Sequence, residues 1–206
     1  MTSKEVELRV GGKILIPIPS CYRDCIELAR SDYYRYSGRK VSFLRLCLAS
    51  CYNSYFRFNF WLRLSAYHGK AYLFCKWMHR RYARKYGLQI SPETVIGYGL
   101  YIGHGFGVVV NPTAIIGNNV NISQFTTIGS NEGQAAIVGN NVYMGPDVSL
   151  VEDICIGSDS CIGAGAVVTK DVVSGMTVAG VPAQVIGVNI HANYVHNRWE
   201  IANCNI

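Results

Sequence analysis

The chain has 206 residues, half of them hydrophobic, and its mean hydropathy is slightly above zero. These values exclude a disordered polypeptide and favour a globular protein that buries much of its surface, partly between subunits. The longest uncharged run among the N-terminal residues, Leu46–Phe56, is much shorter than the roughly 20 apolar residues of a transmembrane helix, so none is predicted. Met1–Val10 is charged and lacks the apolar core of a signal peptide, so we expect a cytoplasmic protein with reduced cysteines.

Charge divides the chain into two parts. Residues 1–88 contain 17 Lys and Arg against five Asp and Glu, whereas residues 89–206 contain two against eight. Residues 1–88 also hold 17 of the 24 aromatic residues. This asymmetry predicts a basic, aromatic-rich module over 1–88, a second domain over 89–187 and a C-terminal tail over 188–206.

Residues 1–88 are predicted to be mostly helical. Glu5–Val10 alternates polar and apolar residues like a short strand, which Gly11 and Gly12 close and Pro17 and Pro19 break. Ser20 is the expected N-cap of the first helix. The predicted helices cover 21–36, 41–55, 57–67 and 70–86.

The interleaved basic and aromatic residues of this module have two explanations. The helices can pack together and expose their Lys and Arg, or the basic face can lie against an anionic membrane surface on its cytoplasmic side. No nucleic-acid partner is expected. The pairs Cys21/Cys25 and Cys47/Cys51 lack the spacing of a zinc knuckle and a nearby His ligand, so they are interpreted as packing thiols and no metal is expected.

Beyond residue 95 the pattern changes to a six-residue period. Aliphatic residues, usually followed by a small residue, recur in twelve hexads. They are Ile96, Ile102, Val110, Ile116, Ile122, Ile128, Val138, Met144, Leu150, Ile156, Ile162 and Val168. A period of six fits neither an α-helix nor an amphipathic strand, and it is typical of a parallel β-helix in which three hexads make one coil. The fold class is therefore mainly β with an α-helical N-terminal part, and twelve hexads give about four coils.

The period is broken twice. Ile102 and Val110 are two residues further apart than a hexad allows, with the extra length at Gly103–Gly107. Ile128 and Val138 are four residues too far apart, so Ser130–Ala136 is expected to leave the helix as a loop. In repeat proteins such insertions are where sites are built.

Four segments carry a family resemblance: Gly99–Val110, Thr113–Val120, Ile162–Val168 and Val178–Ala183. Across roughly 90–187 the chain resembles the hexapeptide acyltransferases, and within them the serine acetyltransferases and their short relatives in surface-polysaccharide gene sets. The resemblance implies a left-handed parallel β-helix, a homotrimer with three clefts between neighbouring helices, and acetyl-CoA bound along each cleft.

The resemblance also implies that His104 is the catalytic base. Chemistry agrees, because an acceptor hydroxyl attacks a thioester only when a base takes its proton, and imidazole titrates near neutral pH. The alternative is a turn histidine with no catalytic role. Glu93, Asp153 or a backbone carbonyl are the groups that could orient it.

The cofactor groove is expected to involve five residues, and the first four of them also fit tight corners of the last coil except for the lysine. These are Gly163, Ala164, Gly180, Pro182 and Lys170. Lys170 is the only Lys or Arg between Gln89 and Asn197, and it would meet a CoA phosphate as a point charge. A salt bridge is its alternative role.

The expected acceptor site departs from that of serine acetyltransferases. The positions that would orient the base or read the charges of serine are Gln89, Gly103, Gln134 and Ala135, none of which is charged. A neutral polyol needs only amides, hydroxyls and aromatic faces, which Gln89, Phe106, Gln124, Asn131 and Gln134 could supply. A saccharide of surface-polysaccharide synthesis is therefore the predicted acceptor. The alternatives are a true serine O-acetyltransferase, with an Arg supplied by residues 1–88, and a non-catalytic β-helix scaffold.

Overall fold

The computed structural model describes residues 1–131, 133–188 and 194–200. It begins with a hairpin and four helices: β1 (Thr2–Glu7), β2 (Lys13–Ile18), α1 (Tyr22–Ser37), α2 (Phe43–Tyr52), α3 (Ser54–Leu64) and α4 (Tyr72–Tyr86). Short strands follow: β3 (Gln89–Ile90), β4 (Val95–Ile96), β5 (Tyr101–Ile102), β6 (Val109–Val110), β7 (Ile115–Ile116), β8 (Asn121–Ile122), β9 (Thr127–Gly129), β10 (Ile137–Val138), β11 (Tyr143–Met144), β12 (Ser149–Val151), β13 (Cys155–Ile156), β14 (Cys161–Ile162), β15 (Val167–Val168), β16 (Met176–Gly180) and β17 (Ala183–Val188).

The strands form the predicted parallel β-helix. Sheet I contains β3, β6, β9, β12 and β15, sheet II contains β4, β7, β10 and β13, and sheet III contains β5, β8, β11, β14 and β16, with β17 added antiparallel at its end. Each coil contributes one strand to every sheet. Four complete coils and the start of a fifth enclose a single aliphatic core.

Strand register records both insertions. Tyr143 pairs with Cys161, which is 18 residues or three hexads further along the chain. Tyr101 pairs with Asn121, 20 residues further, because the two extra residues near His104 lie between them. Asn121 pairs with Tyr143, 22 residues further, because the four-residue insertion lies between them.

The N-terminal part differs from the sequence prediction in two details. Pro17 lies inside β2, opposite Ser3, since a two-stranded hairpin has only edge strands and proline is tolerated there. Ser20 is not the N-cap of α1. Cys21 occupies that position, and the Ser20 hydroxyl donates instead to the Asp24 carboxylate at 2.8 Å. The hairpin packs its apolar face on sheet II.

Side chains of α1 and α3 complete the first coil of the β-helix. An edge strand exposes backbone groups that need partners when they are buried. The Arg63 guanidinium donates to the Ile96 and Gly97 carbonyls and to both oxygens of Asp32. The Asp32 carboxylate also accepts from the Leu100 N–H at 2.8 Å. The helices therefore cap this end of the β-helix through specific buried hydrogen bonds.

Two further findings concern the described residues as a whole. Within residues 1–131, 133–188 and 194–200, no helix combines the length and the apolar character needed to cross a bilayer. Within the same ranges, no group of three or more His, Cys, Asp and Glu side chains converges as a metal site would require. Of the predicted tail, residues 194–200 are described, and there Trp199 packs edge-on against Tyr34 of α1 with ring centroids 5.4 Å apart.

Candidate active site

His104 projects from a corner of the β-helix where sheet III passes into sheet I. We call this line of turns the His104 corner; it comprises residues 103–108, 123–126, 145–148 and 163–166. In successive coils one residue of this corner has a positive φ: Gly107, Phe125, Asp147 and Gly165, at 66°, 59°, 59° and 69°. The two residues that break the hexad period therefore precede Gly107, and they form a bulge that holds His104.

The local backbone explains this placement. His104 itself has a φ of 49°, and glycines on both sides leave the bulge free of neighbouring side chains. Gly107 cannot carry a side chain, because an added Cβ would come within 2.6 Å of the Phe125 ring in the next coil. The imidazole is exposed in the single chain, as a group that must reach a substrate requires.

The nearest aromatic neighbour of His104 comes from the helical module. Tyr55, at the start of α3, meets the imidazole edge-on with ring centroids 6.0 Å apart. No carboxylate within the described ranges hydrogen-bonds to His104. Asp153 pairs with Arg9 at 2.7 Å, and Glu93 lies in the turn between sheets I and II, so neither orients His104 within the chain.

Most of the predicted cofactor residues lie along the His104 corner. Gly163 and Ala164 form it in the fourth coil, and Gly180 and Pro182 lie in the exposed β16–β17 turn above it. From β5 to β16 the line crosses four strand spacings, or about 19 Å. A Cβ added at Gly165 would meet nothing within 4 Å, so this stretch is a smooth track beside the fourth coil.

Two acceptor candidates lie on the same corner. Phe106 and Phe125 pack edge to face with centroids 6.1 Å apart, and both rings are about half exposed. Gln124 lies between them along the chain, and its buried Oε1 has no hydrogen-bond partner among the described residues. The corner thus offers an aromatic surface and one unsatisfied amide acceptor beside the bulge that carries His104.

The remaining candidates lie on a second corner, where sheet I passes into sheet II. We call it the Glu152 corner; it comprises residues 91–94, 111–114, 129–136, 151–154 and 169–171. The predicted loop after Ile128 emerges here, and Glu152 holds it, accepting from the Ser130 hydroxyl at 2.7 Å and the Asn131 N–H at 3.1 Å. The Gln134 amide donates to the Thr113 carbonyl, and Lys170 is exposed in the last coil.

A groove of about 680 Å³ separates the two corners on the outer face of sheet I. Its lining includes Gln89 and Asn111 from the strands and turns, Glu152 and Asn131 from the second corner, and His79 from α4. Burial lowers the pKa of His79 to about 4, so its imidazole is neutral near pH 7. Within one chain, sheet I keeps Lys170, Asn131 and Gln134 away from His104.

The basic helices do not supply a free Arg to the site from α1 or the end of α3. Arg35 donates to the carbonyls of His196 and Gly99 and to the Asn121 amide oxygen. Arg63 is held by Asp32 as described above. Both guanidinium groups are buried and belong to the contact between the helices and the β-helix.

Two residues of this region were not predicted. Glu152 gave no sequence signal apart from following the inserted loop by one coil, although a residue 22 positions after Ser130 is its neighbour in the coil geometry. Tyr55 gave none, because its contact with His104 depends on how α3 docks.

Comparisons with known proteins agree with this architecture. The family model described as bacterial transferase hexapeptide (six repeats) matches residues 135–170. A serine acetyltransferase of Synechococcus elongatus is 40% identical over 104 residues, which is 48% of this chain and 43% of that protein. The chain therefore spans less than half the length of this relative.

Solved structures give the same result over more of the chain. A serine acetyltransferase of Neisseria gonorrhoeae in complex with serine has a TM-score of 0.67 and 29% identity, covering 80% of this chain and 70% of that one. A serine acetyltransferase of Brucella abortus in complex with coenzyme A has a TM-score of 0.64 and 27% identity, covering 81% and 68%. The predicted resemblance is confirmed: the chain has a hexapeptide-repeat β-helix and is serine acetyltransferase-like in sequence and fold.

Proposed function

We propose that this protein is an O-acetyltransferase that moves the acetyl group of acetyl-CoA to an acceptor hydroxyl. The observation that carries the proposal is the bulge at His104, which presents an exposed imidazole at one end of a smooth track of small residues. The similar proteins support the donor, since one of them is a complex with coenzyme A.

His104 acts as the general base in this proposal. Its imidazole takes the proton of the acceptor hydroxyl while the hydroxyl oxygen bonds to the thioester carbonyl carbon. The tetrahedral intermediate then collapses, the carbon–sulfur bond breaks, and the thiolate of CoA receives the proton from the imidazolium. Backbone N–H groups at the glycine-rich corner are suited to stabilise the oxyanion.

Transfer is direct, without an acetyl-cysteine. The two cysteines nearest the track, Cys155 and Cys161, are buried, and burial raises the pKa of both thiols. A buried thiol is a poor nucleophile because the thiolate is the reactive form.

We further propose a homotrimer in which sheet I faces the neighbouring subunits. Its outward positions, Val109, Thr127, Ser149 and Val167, are small or β-branched and half-buried already in the single chain. Such packing would place the Glu152 corner of one subunit beside the His104 corner of the next. The acceptor candidates Asn131, Gln134 and Gln89 and the cofactor candidate Lys170 would then share a cleft with His104.

Serine is the first candidate acceptor, because the similar proteins are serine acetyltransferases and one is a complex with serine. A saccharide hydroxyl is the second, because the residues beside His104 and in the inserted loop are amides and aromatic rings rather than paired charges. An uncompensated ion loses several kcal/mol on desolvation, so serine needs charged partners in a closed site.

The experiment is release of free CoA thiol from acetyl-CoA with serine and with a panel of neutral sugars. A higher kcat/KM for serine assigns the amino acid, and a higher kcat/KM for a sugar assigns the saccharide. Absence of thiol release with every acceptor would contradict the enzymatic proposal and favour a binding scaffold.

A further inference from the structure

We propose that the outer face of α4, with the adjoining part of α3, docks the protein on an anionic phospholipid surface. The charge of the helical module is one-sided. Residues 33–92 contain twelve Lys and Arg and no Asp or Glu. A second copy of the same face would meet it with like charge, whereas a membrane with anionic headgroups attracts it.

Apolar side chains form a continuous exposed patch on these helices. The Trp61 and Phe74 rings lie 5.6 Å apart, and Phe74 and Trp77 lie 6.1 Å apart. Leu73 is 79% exposed and Trp77 53%. Large apolar side chains so far from the core are costly in water, and tryptophan is favoured at membrane interfaces because its ring is amphipathic.

Helical spacing aligns this patch with cations. Leu73, Trp77, Arg80 and Arg84 follow one another at intervals of four, three and four residues, which places them on one stripe of α4. Arg80, Arg81 and Arg84 are exposed. The stripe therefore begins with side chains that suit an acyl boundary and ends with side chains that suit phosphate headgroups.

The opposite side of α4 packs inward, so the stripe is not part of the groove on sheet I. Cys75 and His79 are buried, and His79 lines that groove. Docking through the stripe leaves the His104 corner uncovered. It also brings that corner close to the surface, since Tyr55 of α3 touches both the helical layer and His104.

The test is sedimentation of the full chain with vesicles of phosphatidylcholine alone and of phosphatidylcholine mixed with an equal amount of phosphatidylglycerol. We expect binding to the anionic vesicles that weakens with added salt. The double variant Arg80→Glu/Arg81→Glu should bind at least about tenfold more weakly, because each cation near an anionic surface contributes to binding. Leu73→Ser/Trp77→Ser should also bind more weakly, and its loss should persist at low salt.

Matched controls change similar side chains elsewhere. Lys4→Glu/Arg23→Glu alters two exposed cations, and Leu15→Ser alters an exposed leucine of β2. Both controls should bind like the unaltered chain, and circular dichroism should show that all variants keep their helices. The proposal is overturned if anionic vesicles do not retain the unaltered chain, if neutral vesicles retain it equally, or if the stripe variants bind as well as the controls. Loss of a higher-order assembly in the stripe variants, with no change in vesicle binding, would likewise overturn it and assign the face to a second copy.

Discussion

The Tyr55 ring meets the His104 imidazole edge-on, with 6.0 Å between the ring centroids. This contact joins the first turn of α3 to the bulge of the β-helix. It also gives the exposed imidazole a neighbour that limits its rotation, which no carboxylate of the described residues does.

Tyr55→Ala should therefore lower kcat by up to about tenfold, the equivalent of one edge-to-face ring contact. The KM for acetyl-CoA should stay unchanged, since the ring faces the base and not the track. Tyr55→Phe keeps the ring and should keep the rate. Steady-state kinetics that show equal kcat for the Ala variant and the original chain would remove Tyr55 from the site.

Asp32→Ala should lower the free energy of unfolding by about 3–5 kcal/mol, because it leaves the Arg63 guanidinium buried without its partner. The matched control is Glu7→Ala, which removes one partner of Lys13 in an exposed pair and should cost at most about 1 kcal/mol. Urea unfolding measures both. Similar losses for the two variants would show that the helices do not depend on the buried pair.

Stability should fall as the pH is lowered from about 6.5 to about 4, because of His79. Burial lowers the pKa of this imidazole to about 4 in the folded chain, so across that window the unfolded chain binds a proton that the folded chain does not. The full loss is about 3 kcal/mol. Asp24 acts in a lower window: burial opposes ionisation there, but hydrogen bonds from Ser20 and the N-terminal amine lower its pKa to about 2.

His79→Leu should remove the slope between pH 6.5 and 4, and the exposed control His68→Leu should retain it. Thermal unfolding at a series of pH values gives the comparison. An unchanged slope in the His79 variant would mean that another group titrates in this window.

Lys170→Glu should raise the KM for acetyl-CoA more than that for a thioester analogue without phosphates, because a lysine that meets phosphate acts through its charge. If the cleft is shared, mixed trimers of Lys170→Glu and His104→Ala chains should regain activity, since some of their clefts contain both original residues. Failure to regain activity in mixed trimers of confirmed composition would place both residues in one chain's site or remove Lys170 from it.

The β-helix could be predicted because its period is local. The core positions from Ile96 to Val168 and both insertions are visible as spacings along the chain, and the strand register repeats them. The prediction began one strand late: Ile90 lies six residues before Ile96 and is the core residue of β3, but its position next to the helical module concealed it.

The contacts between the two parts could not be predicted. Arg35, Arg63 and Asp32 have the sequence appearance of ordinary surface charges, and only the docking of α1 and α3 on the first coil buries them. For the same reason Tyr55 and Glu152 carried no signal, while His104 did, since glycines and a broken period mark it locally. The division of the candidates between two corners follows from the coil geometry and not from any single motif.

The most direct test of the central claim is acetyl transfer by His104→Ala, followed as CoA thiol release, together with acetyl-CoA binding by calorimetry. With the acceptor that supports turnover, we expect kcat to fall by about 10²–10⁴ while the Kd for acetyl-CoA changes little, because the imidazole handles the acceptor proton and does not hold the cofactor. His68→Ala, an exposed histidine of the helical module, is the control and should keep full activity. A His104→Ala enzyme with undiminished kcat would contradict the account.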